Sequence, residues 1–589
     1  MPLDAARSRS IPLDAARSRS IYRWIFQPER GSGCACVKSP ITKTEKVFCA
    51  LLFLILFGLR FFYVNTQLWD SDEPQHLHVV WAWANGLLPY RDVFDNHAPL
   101  FQALSAPLFA IFGERADIVA AMRWEMVPIA AVIIGATYFI GSRLFSPRVG
   151  LWAAAISAAF PDLYFKMGEY RPDGFWAAVW MAILVLFSGG SWVPKRMFLV
   201  GLLVGIAFCV SMKTTFLCLI IVVSAVALLF FRLALKAPPF NWRAMIQSAL
   251  AAILGAIIVP AAVVLFFASQ NALGQMYYCV VTHNLWRSAE NSRGFAERVL
   301  DVRFWLFIPM IAGGLWLARK DADYGRASRR LFFLLVAGFY CPLLFMFWPL
   351  ISKQDYIPFF PLVILTVTVP LVWFGELLRR FSLPAFLLPA LVAASELIWL
   401  VRGHPPLKQT NQRNLAIIQD TLKLTHKDET VLDAKGQTIF RRRPYFYVFE
   451  QITRERVESG NLKDDAPQRM IAARTPVVVE SHWLTKETAD FVDQNYVSVG
   501  SVMVLGKRLT PAEDGKMQFA VVIPEKYAMM SDDGPVAAVL DGSDWREPRE
   551  LAPGIHTLIV TPIRKSLAIV WSRAVEKGFS PFVRASAQK

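Results

Sequence analysis

The sequence predicts a polytopic α-helical membrane protein followed by a soluble α/β domain, and three observations carry that prediction. Of its 589 residues, 55% are hydrophobic and 18% charged, and the mean hydropathy is +0.39. Apolar runs of about 20 residues, the length that crosses a bilayer core, recur between 47 and 402. Beyond 403 they stop, and short β-branched stretches alternate with polar, helix-like segments. The chain thus divides into a basic tail over 1–45, a membrane domain over 46–402 and an outer domain over 403–589.

The tail repeats PLDAARSRSI at 2–11 and 12–21. It is polar and basic with no apolar core, so it reads as a disordered cytoplasmic segment and not as a signal peptide. Apolar runs follow near 47–65, 124–142, 149–165, 174–189, 198–212, 216–235, 246–269, 303–318, 330–350, 357–378 and 383–402, which predicts about eleven spans. The long loop after the first span contains two aromatic-rich helices, 75–86 and 98–113. In these, Trp81, Trp83, Phe101 and Phe109 read as membrane anchors. A second large loop covers 270–302. In the outer domain, 430–433 and 476–480 read as strands and 410–426 as a helix.

The net charge of +16 sits mainly in short connectors: Arg143 and Arg148, Lys195 and Arg196, Arg232 and Lys236, Arg319 to Arg330, and Arg379 with Arg380. That placement obeys the positive-inside rule and argues against a nucleic-acid partner. With the N-terminus inside, an odd number of spans puts the outer domain on the far side, which reads as the periplasmic face of a bacterial inner membrane. The seven cysteines are scattered and none lies beyond Cys341, so the outer domain has no disulfide. Cys34-Ala-Cys36 is too sparse for a zinc site.

The strongest pointer to chemistry is the tetrad Asp70-Ser71-Asp72-Glu73, directly after the first apolar run. Carboxylates are costly beside hydrocarbon, so a cluster there needs a reason. With this orientation, the outer ends of other spans bring Asp162, Lys166, Glu169, Arg171 and Asp173, then Lys213, then His283 and Arg287, then Lys353, Asp355 and Tyr356. Both signs meeting at one face suit a lipid-linked phosphate: cations neutralise the leaving phosphate while a carboxylate takes a hydroxyl proton. Each residue also has a plainer reading. Asp72 and Asp173 fit helix N-caps, Lys213 an interfacial lysine, and Lys353 with Tyr356 an interfacial anchor.

Asp72-Glu73, Asn96-His97-Ala98-Pro99-Leu100, Arg171-Pro172-Asp173, Lys213 and Lys353-x-x-Tyr356-x-Pro358-x-x-Pro361, in that order along 45–400, resemble the GT-C membrane glycosyltransferases. Protein O-mannosyltransferases and the transferases that put aminoarabinose on lipid A are the nearer relatives. The resemblance implies the GT-C fold and a polyprenyl-phosphate-linked sugar donor. It makes Asp72 the general base of the acidic pair with Glu73, and Asp173 a second active-site acid. Lys213 and Tyr356, with Lys353 and Arg171 nearby, would hold the donor phosphate. Asn96, His97, His283 and Arg287 would form substrate loops.

No cofactor is required by the sequence. His283 resembles a metal-binding loop histidine, but Asn96 stands where its acidic partner would be. The expected activity is inverting sugar transfer to an acceptor hydroxyl of a lipid, glycan or protein. A secondary transporter, or a flippase or polymerase of lipid-linked glycans, is the alternative.

Overall fold

The computed structural model of the protein describes residues 40–190, 193–231, 241–285, 295–321, 323–348, 351–532, 537–561 and 566–582. The repeated decapeptide, Cys34, Cys36, Arg287 and Arg293 lie outside the described residues.

A helix stands on each apolar run. Lys43–Thr66, Ile118–Leu144, Trp242–Ser269, Tyr324–Phe347 and Phe360–Phe381 are long and apolar enough to cross a membrane, by length and composition. Between them stand the shorter helices Pro147–Ala159, Pro172–Ser188, Pro194–Phe208, Thr214–Phe230, Phe307–Lys320 and Leu387–Gly403. Proline opens several of these, in the first turn where its missing N–H costs nothing. The expected span 149–165 is broken. Its helix stops at Ala159, because Pro161 has no N–H to continue the ladder, and a separate turn Pro161–Lys166 follows.

The first helix is fastened at both ends. At its start the buried Glu45 accepts hydrogen bonds from Arg148 Nε and Nη2, 2.8 and 2.9 Å, and from Trp152 Nε1. At its end the Tyr63 hydroxyl donates to the carbonyl of His404, and the Asn411 amide donates to the carbonyls of Asn65 and Gln67. The start of the C-terminal region is thereby strapped to the first span.

Helices Pro194–Phe208 and Trp242–Ser269 cross so closely that only glycine fits at their contact. A Cβ on Gly201 would lie 1.9 Å from the Ala252 carbonyl oxygen, and one on Gly255 would lie 2.2 Å from that of Phe198. Small residues that let backbones touch are the usual device for helix association in lipid.

The two loop helices form as Asp72–Ala84 and Leu100–Phe112, but they do not serve as membrane anchors. Trp81, Phe101 and Phe109 are buried in the protein, and Trp83 packs on Phe266 and Phe267. The C-terminal region covers them: Phe440 packs on Phe109 at 5.7 Å, and the Ile439 carbonyl takes the His78 ring nitrogen at 2.8 Å. An aromatic helix surface looks the same in sequence whether lipid or protein covers it.

In the C-terminal region the expected strands Val431–Leu432 and Val477–Val478 pair in parallel, and the helix Gln412–Leu424 packs beside them. Its later part is antiparallel. The seven-stranded sheet continues through Val502–Leu509, Leu567–Trp571, Glu525–Ser531 and Arg549–Leu551, with Tyr496–Val499 paired to Val502–Leu509. A four-stranded sheet runs Lys516–Val521, Gly554–Thr561, Ala537–Leu540 and Ser543–Trp545. Within 433–450, Ile439 and Phe440 are buried in the membrane-domain core, while Ala434, Tyr445 and Phe449 stay in the core of the C-terminal region.

Gly201→Leu should lower thermal stability in detergent by about 1–3 kcal/mol or more, the cost of overpacking. Gly58→Leu, where an added Cβ meets nothing within 4 Å, should leave the melting temperature unchanged.

Candidate active site

Turns from distant parts of the chain meet at one end of the membrane helices, beneath the C-terminal region. The tetrad opens helix Asp72–Ala84: Asp70 Oδ1 accepts the Asp72 N–H, and the Asp70 carbonyl accepts the Glu73 N–H. Arg171 precedes Pro172 at the start of Pro172–Ser188, which places Asp173 in the first turn. Lys213 occupies the tight turn into Thr214–Phe230. A short 3-10 turn, Lys353–Tyr356, is closed by a capping box in which Asp355 accepts from the Ser352 N–H.

Arg171 is the hub. Its Nη1 donates to Asp70 Oδ1 at 2.5 Å and Asp72 Oδ2 at 2.6 Å, and its Nε to Asp173 Oδ2 at 3.2 Å. Lys213 Nζ then joins Asp173 Oδ1 at 3.0 Å to Asp355 Oδ1 at 2.5 Å. At the other end Lys435, from the C-terminal region, donates to Asp72 Oδ1 at 2.6 Å and to the Ser71 hydroxyl at 3.3 Å. The result is an alternating ladder: Lys435, Asp72, Arg171, Asp173, Lys213, Asp355. Lys166 joins at the side, 3.5 Å from Asp70 and 2.8 Å from Glu169.

The ladder fixes protonation. Burial by itself would push the Asp72 carboxyl up, but Arg171 and Lys435 hold it well below the usual carboxylate range. Burial likewise opposes the charge on Arg171, yet Asp72, Asp173 and Asp70 push its pKa well above the ordinary value. Beside them, burial and the nearby His97 and Arg171 hold His76 well below its ordinary value, so its ring is neutral.

Of the sequence-predicted residues, Asp72, Arg171, Asp173 and Lys213 come together. Tyr356 is buried in the same turn as Asp355, its ring 4.9 Å from the Arg303 guanidinium carbon. Glu73 does not join them. It is fully buried in a forked pair with Arg123, Oε1 to Nε at 2.8 Å and Oε2 to Nη2 at 2.6 Å, and Oε1 also accepts the Tyr170 N–H. One residue's rotation around the helix separates the two acids, which makes Glu73 a brace. Lys353 also stands outside: its side chain is 73% exposed and lies 3.4 Å from Asp162. Asp355 takes its place, because the capping box turns that side chain inward.

The substrate-loop residues form a separate group. Asn96 and Asn284 are mutually bonded, and the His97 ring meets Asp95 at 3.0 Å and lies edge-on to His76 at 4.5 Å. His283 is buried, with Nε2 3.0 Å from Glu450 and Nδ1 3.2 Å from Arg456. Both ring nitrogens are engaged by side chains of the C-terminal region. Among the described residues no group of three or more His, Cys, Asp or Glu side chains is placed to hold a metal.

Lys435 and Glu450 carry no local signal that links them to residues far back in the chain. Asp70 and Asp355 did have one, in the acidic tetrad and in the Ser352-x-x-Asp355 box.

No protein-family model matches the chain, and no curated protein matches it in sequence. Solved structures do align with it. ArnT from Cupriavidus metallidurans in the apo state aligns with a TM-score of 0.53 at 12% identity, over 78% of this chain and 98% of that one. The same transferase bound to undecaprenyl phosphate aligns at 0.50 and 14%, over 88% and 98%. An oligosaccharyltransferase from Archaeoglobus fulgidus in the apo form aligns at 0.45 and 12%, over 77% and 73%. The chain shares the fold of ArnT, as the resemblance carried by its motifs implied.

Glu73→Ala should leave Arg123 buried and unpaired, at about 3–5 kcal/mol. Thermal unfolding in detergent should show a large drop for this variant, and Glu73→Leu combined with Arg123→Met should recover much of it.

Proposed function

We propose that the protein is an integral membrane glycosyltransferase that moves a sugar from a polyprenyl-phosphate donor to an acceptor hydroxyl. The observation that carries this reading is the ladder of alternating acids and cations at one end of the membrane helices. A GT-C fold whose ArnT example binds undecaprenyl phosphate supports it. So does the position of the charges, at a helix end and under a folded domain, where a transporter would carry them near mid-membrane.

The chemistry follows from the charges. The acceptor oxygen attacks the anomeric carbon as the bond from that carbon to the phosphate oxygen breaks, and the bonding pair leaves with the phosphate. Asp72 takes the hydroxyl proton; held ionised by Arg171 and Lys435, it is fully in its base form at neutral pH. Lys213 and Arg171 face the charge that grows on the leaving phosphate, and Tyr356 lines the turn beside them. A single displacement inverts the anomeric configuration. Asp173 orients both cations, holding Arg171 on one oxygen and Lys213 on the other. No step of this displacement uses a nucleotide. The basic connectors at the opposite helix ends support an extracytoplasmic site in a bacterial inner membrane.

Purified protein given a labelled polyprenyl-phosphate sugar should release polyprenyl monophosphate. Asp72→Asn should lower turnover by roughly 100- to 10,000-fold, the usual worth of a general base, while still binding donor. Lys213→Met should raise KM for the donor as well. Turnover of Asp72→Asn at the wild-type rate would remove Asp72 from the mechanism.

A further inference from the structure

If Asp72 is the base, it works between two cations: Oδ2 accepts from Arg171, and Oδ1 accepts from Lys435 and Ser71. The proton it gains cancels the charge that holds them, and the less firmly held cation is then released. Arg171 is bound by three carboxylates from two turns, and Lys213 by two. Lys435 has Asp72 as its one carboxylate partner among the described residues, plus the Ser71 hydroxyl. It precedes Gly436, whose φ of +84° makes a sharp left-handed turn against Gln75 and His78. The face of Trp483, 5.4 Å from Lys435 Nζ, gives the ammonium a second favourable seat.

Resting on the transferase reading above, we infer that Lys435 is an exchangeable positioning residue that passes from Asp72 to the donor phosphate during transfer. Charge bookkeeping gives the move its direction. The donor is a phosphodiester with one negative charge. Transfer makes it a monoester with a second, while the proton taken from the acceptor neutralises Asp72. Lys435 therefore loses its partner at the moment an anion appears beside Lys213 and Arg171. The C-terminal region thus completes the catalytic centre, contributing the cation that the membrane helices do not supply.

The test uses the full-length protein in detergent or nanodiscs, with polyprenyl monophosphate as the probe. Asp72→Asn frees Lys435, so it should bind polyprenyl monophosphate more tightly than the wild type, by roughly tenfold. Adding Lys435→Met should abolish that gain. In the otherwise wild-type protein, Lys435→Met should lower kcat more than it raises KM for the donor, because the contact with the phosphate forms only during transfer. It should also move the acid limb of kcat/KM upward by about one pH unit or more, because a cation that held Asp72 ionised is gone while Arg171, Asp70 and His76 still face it. Lys435→Arg should restore both. Equal affinity of wild type, Asp72→Asn and the double variant for the probe would overturn the exchange and leave the transferase reading intact. Full turnover by Asp72→Asn would instead remove the base assignment itself. An unchanged pH profile in a Lys435→Met protein with wild-type melting would reduce Lys435 to a domain strap.

Discussion

The interaction on which this protein depends is the convergence of Asp70, Asp72 and Asp173 on one guanidinium, that of Arg171. Three carboxylates within a few ångströms would repel one another strongly in a water-poor site. A planar, permanently charged group with several donors can satisfy all three, where a lysine at position 171 could offer only a point charge. Its position is set by Pro172, which starts a helix directly behind it, and by the first loop helix, whose opening turn presents Asp70 and Asp72. The hub therefore ties the loop after the first span to the bundle, and the rest of the ladder extends from it in both directions.

That arrangement separates support from chemistry. Glu73 and Arg123 form a closed, buried pair that holds the loop helix against the first span, and they offer nothing to a substrate. Asp72, one residue earlier, keeps its carboxylate about a quarter exposed, between a cation fixed to the membrane domain and one carried by the C-terminal region. The same acidic tetrad thus supplies a buried brace and a carboxylate open to the ladder, and helix geometry alone decides which is which.

Much of the architecture was legible because membrane burial is a coarse, one-dimensional constraint. Apolar runs had to become helices, and the places where they broke, as at Pro161, follow from proline's missing donor. Arg171, Asp173 and Lys213 were legible as site residues because charges at the ends of apolar helices are few and expensive. Lys353 was misplaced for a related reason: in a four-residue turn the sequence names the charged residues but not which of them faces inward. The capping bond from Ser352 to Asp355 settles that, and it turns the acid toward Lys213. The aromatic loop helices read as anchors because their apolar faces carry no mark of what covers them.

By itself, the chain determined the helices, the sidedness of its charges and the identity of most of the carboxylates and cations, since each depends on local composition and on the cost of burying charge. Only the tertiary structure decided that Lys435, 363 residues beyond Asp72, is the group seated on that carboxylate. Its neighbours in sequence form a glycine turn with no charge pattern. Its partner is chosen by how the stretch 433–450 packs on the first loop helix, a contact between surfaces far apart in the chain, which no periodicity or spacing encodes.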